Sequence, residues 1–477
     1  MLNVLFVASE CTPFFKTGGL ADVVGSLPKA LKKEGVYASV ILPKYKQLPE
    51  TWQQQLVQKA IFTVPVKWRN QYCGLEQLVH EGITYYFIDN QFYFYRETLY
   101  GQFDDAERFT FFTHAVLAAL PQLDRYPDLV HCHDWQTGLI PAYMKTGHVQ
   151  NPLPAIFTIH NLRYQGSFPP SIFEELLHFN REHFAGLEMN GAINLLKGAL
   201  VHADWVTTVS PTYANEIQTK IGGEGLHHVL AMKRDSLSGI LNGIDEDDFN
   251  PETDPNLTKN YKQHPKKKRE NKQLLQKKFG LPPSKKIPLI AIVSRLAEEK
   301  GLALIASVLH EWMTNSSFQL IVLGTGEPHF ERTLSEAAQT YPEQIGVKFT
   351  FNEGLARQVY AAADFLLMPS QFEPCGLSQL IAIKYETVPI VRETGGLADT
   401  IQSFNEHTEE GNGFSFKNYN ADDMLYTIRR ALSFYKDEKA WSQLLRNIYR
   451  TKVGWNISAK QYKKLYQQLV SKGEFMQ

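Results

Sequence analysis

The sequence predicts an α/β protein of two domains, each built around a parallel sheet. Three observations carry that expectation. Short, wholly apolar runs alternate with helical patterns along the chain, which is how parallel sheets read. The length, 477 residues, exceeds what one hydrophobic core organises. The hexapeptide Thr-Gly-Gly-Leu-Ala-Asp occurs twice, at Thr17–Asp22 and Thr394–Asp399, each time between a buried-strand pattern and a helical one. A Gly-Gly pair there lets backbone N–H groups approach a ligand and aims the positive end of a helix dipole at it, which suits phosphate. Two such loops predict one anionic ligand held between the domains, with Lys16 beside the first copy.

In the first half, strands are expected at Asn3–Ala8, Tyr37–Leu42, Tyr85–Ile88, Leu129–Cys132, Ala155–Ile159 and Val206–Val209, with Val64–Trp68 and Gly74–Val79 as an inserted hairpin. The second half offers Ser238–Leu241, Leu289–Val293, Gln319–Leu323, Val347–Phe351, Phe365–Met368 and Pro389–Val391. The break falls between Pro211 and Gly243. Ser458 reads as the N-cap of a last helix with Tyr462, Leu465, Tyr466 and Leu469 on one face, packed back on the first domain. The domains are therefore expected as 1–240 joined by a terminal helix 456–477, and 241–455.

Composition excludes several classes. Apolar content of 43%, 21% charged residues and a net charge of −1 describe an ordinary globular protein with no nucleic-acid or membrane-binding surface. The basic run Lys266–Arg269 reads as a solvated surface loop. Four cysteines without a Cys-x-x-Cys pair argue against a disulfide framework or zinc site. The chain enters a strand by Asn3, leaving no room for a signal peptide, and no apolar run spans a bilayer. A cytoplasmic protein is expected.

In open α/β sheets ligands sit beyond the carboxyl ends of strands, so functional polar residues are expected where these strands stop. His131-Cys-His-Asp-Trp135 resembles a metal half-site, but alternation puts His131 and His133 opposite Asp134, and no second cluster completes a ligand set. No metal is expected. Asp134 reads as a polar group lining a cleft, and His160 with Asn161 ends the next strand in the same way. Asp245-Glu-Asp247 matches a metal-holding Asp-x-Asp pattern but reads more simply as a helix start after Asn242-Gly243. Arg295 at a strand end and Lys300 in the following turn can converge on a diphosphate, a planar fork and a point charge together. Gly324-x-Gly326 lacks the acidic partner of a dinucleotide fingerprint. Glu373, in Glu373-Pro-Cys-Gly-Leu377, presents a carboxylate suited to sugar hydroxyls at a proline-set turn before a helix.

Lys16-Thr-Gly-Gly-Leu-Ala-Asp22, His133-Asp-Trp135, His160-Asn161, Leu241-Asn-Gly-Ile-Asp245, Ser294-Arg-Leu296 with Lys300-Gly301, Glu373-Pro-Cys-Gly-Leu377 and Thr394-Gly-Gly396 follow in this order. The set resembles the bacterial glycogen synthase and plant starch synthase family over essentially the whole chain. That resemblance implies the GT-B glycosyltransferase fold, two Rossmann-like domains facing across a deep cleft. It implies transfer of glucose from ADP-glucose to the non-reducing end of an α-1,4-glucan, with retention and without metal or other cofactor. The N-terminal domain would be the acceptor side and the C-terminal domain the nucleotide-sugar side.

Carried over residue by residue, the resemblance implies that Lys16, Gly18 and Gly19 contact diphosphate and donor sugar. Arg295 and Lys300 would hold the diphosphate and stabilise departing ADP. Glu373 would bind sugar hydroxyls, while His160 and Asn242 position the glucose. Cys375, Gly376, Leu377, Thr394 and Gly395 would complete the donor site. Asp22 and Asp134 would line the cleft, with Trp135 on the acceptor side, and Phe351 would lie against adenine. Many related retaining transferases carry a second glutamate eight residues after the first. Here that position is Ile381, with Gln379 the nearby polar residue.

Overall fold

The computed structural model describes residues 2–314 and 317–474. The chain forms two compact units, Met1–Asn242 with the chain from Trp455 onward, and Gly243–Gly454.

In the first unit the strands are β1 (Asn3–Val7), β2 (Tyr37–Pro43), β3 (Val57–Val66), β4 (Arg69–His80), β5 (Ile83–Asp89), β6 (Leu129–His133), β7 (Ala155–Ile159), β8 (Ser167–Phe168), β9 (Glu188–Met189), β10 (Ala192–Asn194), β11 (Trp205–Thr208) and β12 (Leu237–Gly239). Nine form one sheet in the order β12-β11-β7-β6-β1-β2-β5-β4-β3, parallel except where β4 and β3 turn back as a hairpin. The central strands are buried on both faces because helices cover both. The other three strands make a small separate sheet, β8-β10-β9. Helix Gly19–Lys33 carries Asp22 in its first turn and Lys32 and Lys33 in its last, matching its dipole.

The second unit holds β13 (Leu289–Val293), β14 (Gln319–Leu323), β15 (Ile345–Lys348), β16 (Phe365–Met368), β17 (Val388–Arg392) and β18 (Phe414–Phe416). They form one wholly parallel sheet in the order β15-β14-β13-β16-β17-β18. In each sheet the winding reverses at one place, between β1 and β6 in the first and between β13 and β16 in the second. At such a switch point neighbouring strands send their following loops to opposite sides and leave a crevice.

Several sequence expectations need correction. The hairpin strands start well before Val64 and Gly74, and β3 ends at Val66 with Trp68 in the turn; outer residues such as Lys59 and Tyr72 are exposed and break the apolar pattern. The segment expected as the strand Ser238–Leu241 of the second half is β12, which pairs with β11 in the first unit. The strand expected at Val347–Phe351 ends at Lys348, leaving Phe351 in the loop. Ser458 lies inside helix Asn456–Glu474 rather than capping it, and its hydroxyl donates to the Leu241 carbonyl. The acidic cluster at Asp245 starts no helix. The Asp245 carboxylate accepts the amides of Asp247 and Asp248, while Glu246 pairs with Lys384 and Asp248 with Arg357.

The basic run is solvated for the most part, but it lies on a helix rather than in a loop. It opens helix Pro265–Lys278, where Lys266, Lys267 and Arg269 are exposed and Lys268 is half-buried. Its ammonium donates to the carbonyls of Tyr360, Ala361 and Tyr385 and to the Thr387 hydroxyl at 2.8–3.4 Å. These carbonyls terminate helices Glu353–Ala362 and Ser378–Lys384, so one cation meets the negative ends of two dipoles. Burial draws its pKa down to about 8.

Candidate active site

At the switch point of the first sheet, β1 leads into the loop carrying Glu10 and Lys16. Lys16 Nζ pairs with Asp22 Oδ1 at 2.7 Å. Glu10, 4% exposed, turns its carboxylate back under the loop and accepts both the amide and the hydroxyl of Thr17. Desolvation raises its pKa to about 7 against these hydrogen bonds and a weaker one from the Gly18 amide. Helix Gly19–Lys33 begins without a side-chain cap, so its first N–H groups keep their capacity for an anion. A Cβ on Gly18 would come no closer than 3.9 Å to its nearest neighbour, Glu10 Oε1. The fold itself therefore has room for a side chain at 18.

The neighbouring strand β6 ends at His133, and Asp134 follows with φ +56°. The Asp134 carboxylate accepts the His160 amide at 2.8 Å, fixing the turn after β7. Burial raises its pKa to about 7, with the charge on Glu10 contributing. His160 Nε2 lies 3.0 Å from His133 Nδ1, and burial holds His160 near 3. Trp135 is buried edge-on against Phe109, and a Cβ on Gly166 would fall 2.4 Å from its ring. Its ring supports the loop from the core. Asn242 is buried, and its Oδ1 has no hydrogen-bond partner among the described residues. The structure thus brings Lys16, Gly18, Gly19, Asp22, Asp134 and His160 to the carboxyl edge of the first sheet, with Asn242 where the chain leaves the unit.

At the switch point of the second sheet, the loop after β13 carries Arg295 and Lys300, and the loop after β16 carries Glu373. Lys300 Nζ contacts both Glu373 oxygens, at 2.8 and 2.7 Å, and the Ser370 hydroxyl donates to the same carboxylate at 2.9 Å. Arg295 is more exposed and pairs with Glu299 at 2.5 Å. The Glu299 carbonyl accepts the Gln371 amide, tying the two loops together. Gly301, at φ +78°, would place a Cβ 2.1 Å from the Pro369 carbonyl oxygen, so this close approach requires glycine.

The second Gly-Gly pair behaves differently from the first. A Cβ on Gly395 would lie 2.1 Å from the Glu373 carbonyl oxygen, and one on Gly396 would lie 2.3 Å from that of Cys375. The Gly396 amide donates to the Pro374 carbonyl. These glycines let the 394–396 turn pack against the 373–376 loop. Thr394 is buried beside them. Buried Gln379 completes the arrangement, its amide donating to the carbonyls of Cys375 and Gly376 and to the Thr400 hydroxyl. Leu377 precedes helix Ser378–Lys384, as expected. Phe351 stands 73% exposed before helix Glu353–Ala362, which Asn352 caps.

Residues 3–232 match the family model described as starch synthase catalytic domain, and residues 273–447 match glycosyl transferases group 1. The chain is 65% identical over 471 residues to a glycogen synthase of Halalkalibacterium halodurans, covering 99% of both chains. The chain belongs to the glycogen synthase and starch synthase family. A glycogen synthase of Geobacillus thermodenitrificans is 52% identical, again over 99% of both chains. Among solved structures, the catalytic domain of starch synthase IV from Arabidopsis thaliana bound to ADP and acarbose superposes with a TM-score of 0.90. It is 33% identical, with 98% of this chain and 99% of that one covered. The sucrose-phosphate synthase of Thermosynechococcus elongatus, 17% identical with a TM-score of 0.61, shares the fold. Members of this family are glycosyltransferases, and the two parallel α/β units here are those of the GT-B fold. None of the helices among the described residues is long and apolar enough to cross a membrane.

Sequence reasoning missed Glu10, Ser370 and the pairing of His133 with His160. An acidic residue directly after a buried strand was the available signal for Glu10.

Proposed function

We propose that the protein is a glycogen synthase that transfers glucose from ADP-glucose to the non-reducing end of an α-1,4-glucan with retention of configuration. The observation that carries this reading is the Lys300–Glu373 pair, at 2.7–2.8 Å, at the second sheet's switch point. Breaking the donor's glycosidic bond leaves negative charge on the β-phosphate and positive character on the sugar ring. A fixed ammonium beside a fixed carboxylate suits both, the cation facing phosphate and the carboxylate accepting sugar hydroxyls. Arg295, held by Glu299, adds the planar fork that a diphosphate accepts.

On this reading the second unit is the donor side. Lys300 and Arg295 stabilise departing ADP, Glu373 holds the glucose hydroxyls, and Phe351 offers a face to adenine. The turns at Cys375–Leu377 and Thr394–Gly395 supply backbone groups. The first unit is the acceptor side, where Lys16 and the Gly18–Gly19 amides meet the donor's phosphates and His160 and Asn242 orient the glucose. Asp22 and Asp134 hold Lys16 and the 160–161 turn, and Trp135 supports the acceptor side from beneath. With no carboxylate nucleophile assigned, the acceptor hydroxyl attacks from the face that ADP leaves, a phosphate oxygen taking its proton. The relatives' names and the starch synthase bound to ADP support this choice of donor and acceptor.

The test is incorporation of labelled glucose into glycogen from ADP-glucose, with UDP-glucose as competitor. Transfer from ADP-glucose into chains that an α-1,4-glucan-specific amylase digests is the expected result. Transfer only to a small acceptor, or only from another nucleotide sugar, would replace this reading with another transferase of the same fold.

A further inference from the structure

His133 sits at the end of β6 with no exposed surface. Its ring lies against Phe6, nearly parallel at 5.4 Å, and against His131 at 4.2 Å. Its backbone is held by the Thr137 hydroxyl, which donates to the His133 carbonyl. One ring nitrogen, Nδ1, is 3.0 Å from His160 Nε2, while the other, Nε2, is buried without a hydrogen-bond partner among the described residues.

That asymmetry decides where the protons are. Burial depresses both imidazoles well below their ordinary pKa, so each ring carries a single proton at neutral pH. If His133 carried its proton on Nε2, a buried N–H would be orphaned, which proteins avoid more strictly than an orphaned lone pair. The proton therefore belongs on Nδ1, where it is donated to His160 Nε2. His160 Nε2 is then an acceptor, and its own proton must sit on Nδ1. That nitrogen makes no hydrogen bond to any described residue. The Asp134 carboxylate holds the His160 backbone amide, so Asp134 sets the position of the residue while His133 sets its polarity.

We propose that His133 is a positioning residue that locks His160 in the Nδ1–H tautomer, making the free edge of His160 a hydrogen-bond donor to an oxygen of the bound sugar. The role of the sugar rests on the functional reading above; the tautomer does not. An acceptor at that edge would repel a hydroxyl oxygen's lone pairs, so the lock favours a sugar oxygen presented as acceptor.

The experiment is two-bond ¹H–¹⁵N correlation on the full-length protein labelled with ¹⁵N-histidine, His160 being assigned by its loss in His160→Ala. His160 should show a protonated Nδ1 and a bare Nε2. His133→Leu should spread His160 over both tautomers and lower kcat about tenfold with KM for ADP-glucose little changed, since orientation rather than charge is lost. His133→Asn, whose amide N–H falls near the old Nδ1, should restore both the spectrum and the rate. A wild-type His160 protonated on Nε2, or an unchanged tautomer in His133→Leu, would overturn the proposal. If His133→Leu does not fold, the wild-type spectrum alone decides. Full transfer activity in His160→Ala alongside the expected spectrum would sink the role of His160 toward sugar while supporting the tautomer lock.

Discussion

Glu10→Gln offers a sharp test of the buried carboxylate beneath the Lys16 loop. The substitution removes the charge and keeps a carbonyl oxygen to accept from Thr17, which Glu10 Oε2 now serves. Desolvation lifts the carboxyl from 4.5 to about 7. A carboxyl whose folded pKa is raised lends stability that is fully present below its unfolded pKa and lost as pH rises through the folded value. The window here is therefore pH 4.5 to about 7. At roughly 1.4 kcal/mol per pH unit, holding the charge costs the wild type about 3 kcal/mol by pH 8, a cost the glutamine avoids. For a unit of this size about 1 kcal/mol moves Tm by roughly 2–4 °C, so the variant's Tm relative to wild type should rise by about 6 °C or more from pH 5 to pH 8. Asp134 also titrates near 7, partly because of Glu10, so its own transition should move to lower pH in the variant. Thermal melts followed by near-ultraviolet circular dichroism across this range measure the difference. A difference that stays flat with pH, or falls as pH rises, would refute the reasoning.

Lys300→Ala should cost about 2–4 kcal/mol of transition-state stabilisation, roughly 10²–10³ in kcat/KM. A loss under threefold in steady-state assays would remove Lys300 from the phosphate site. Gly395→Ala should abolish transfer while the protein stays folded, because the new methyl meets the Glu373 carbonyl at 2.1 Å. Near-wild-type kcat there would show the two loops to be independent. Lys268→Met should destabilise the second unit by about 2 kcal/mol, since it takes the donor from three helix-terminal carbonyls. Urea unfolding monitored on that unit checks it, and an unchanged midpoint would count against the cap.

Much of the fold was legible because buried parallel strands are continuous apolar runs, and β1, β6, β7, β13, β14 and β16 fall within a residue or so of their expected positions. Elements that bury one face or almost nothing were not. The β3–β4 hairpin alternates with exposed polar residues, and β8 to β10 are two or three residues each. The site residues were visible as polar groups where apolar runs stop, which is why Arg295, Lys300, Glu373, Asp134 and His160 could be named. What surrounds them was not. The partners of Glu10 and Lys268 are set by tertiary packing: Glu10 turns under the Lys16 loop, and Lys268 reaches carbonyls about a hundred residues away in sequence. The repeated hexapeptide is the clearest case. Identical residues leave open space at Gly18 and are pressed against another loop at Gly395 and Gly396, a difference that exists only once the chain is folded.

The terminal helix Asn456–Glu474 has a consequence for biosynthesis. It buries Tyr462, Leu465, Tyr466 and Leu469, and the Tyr466 hydroxyl lies 2.8 Å from His131 on β6. His131 continues through Thr158 to Thr207, so one polar chain crosses three adjacent strands of the first sheet. On the ribosome, His131, Thr158 and Thr207 emerge 335, 308 and 259 residues before Tyr466. Until then the strand bearing His131 waits without the helix that covers it, while the whole of the second unit is made. The last helix acts as a latch that closes the first unit only after the second unit has been made.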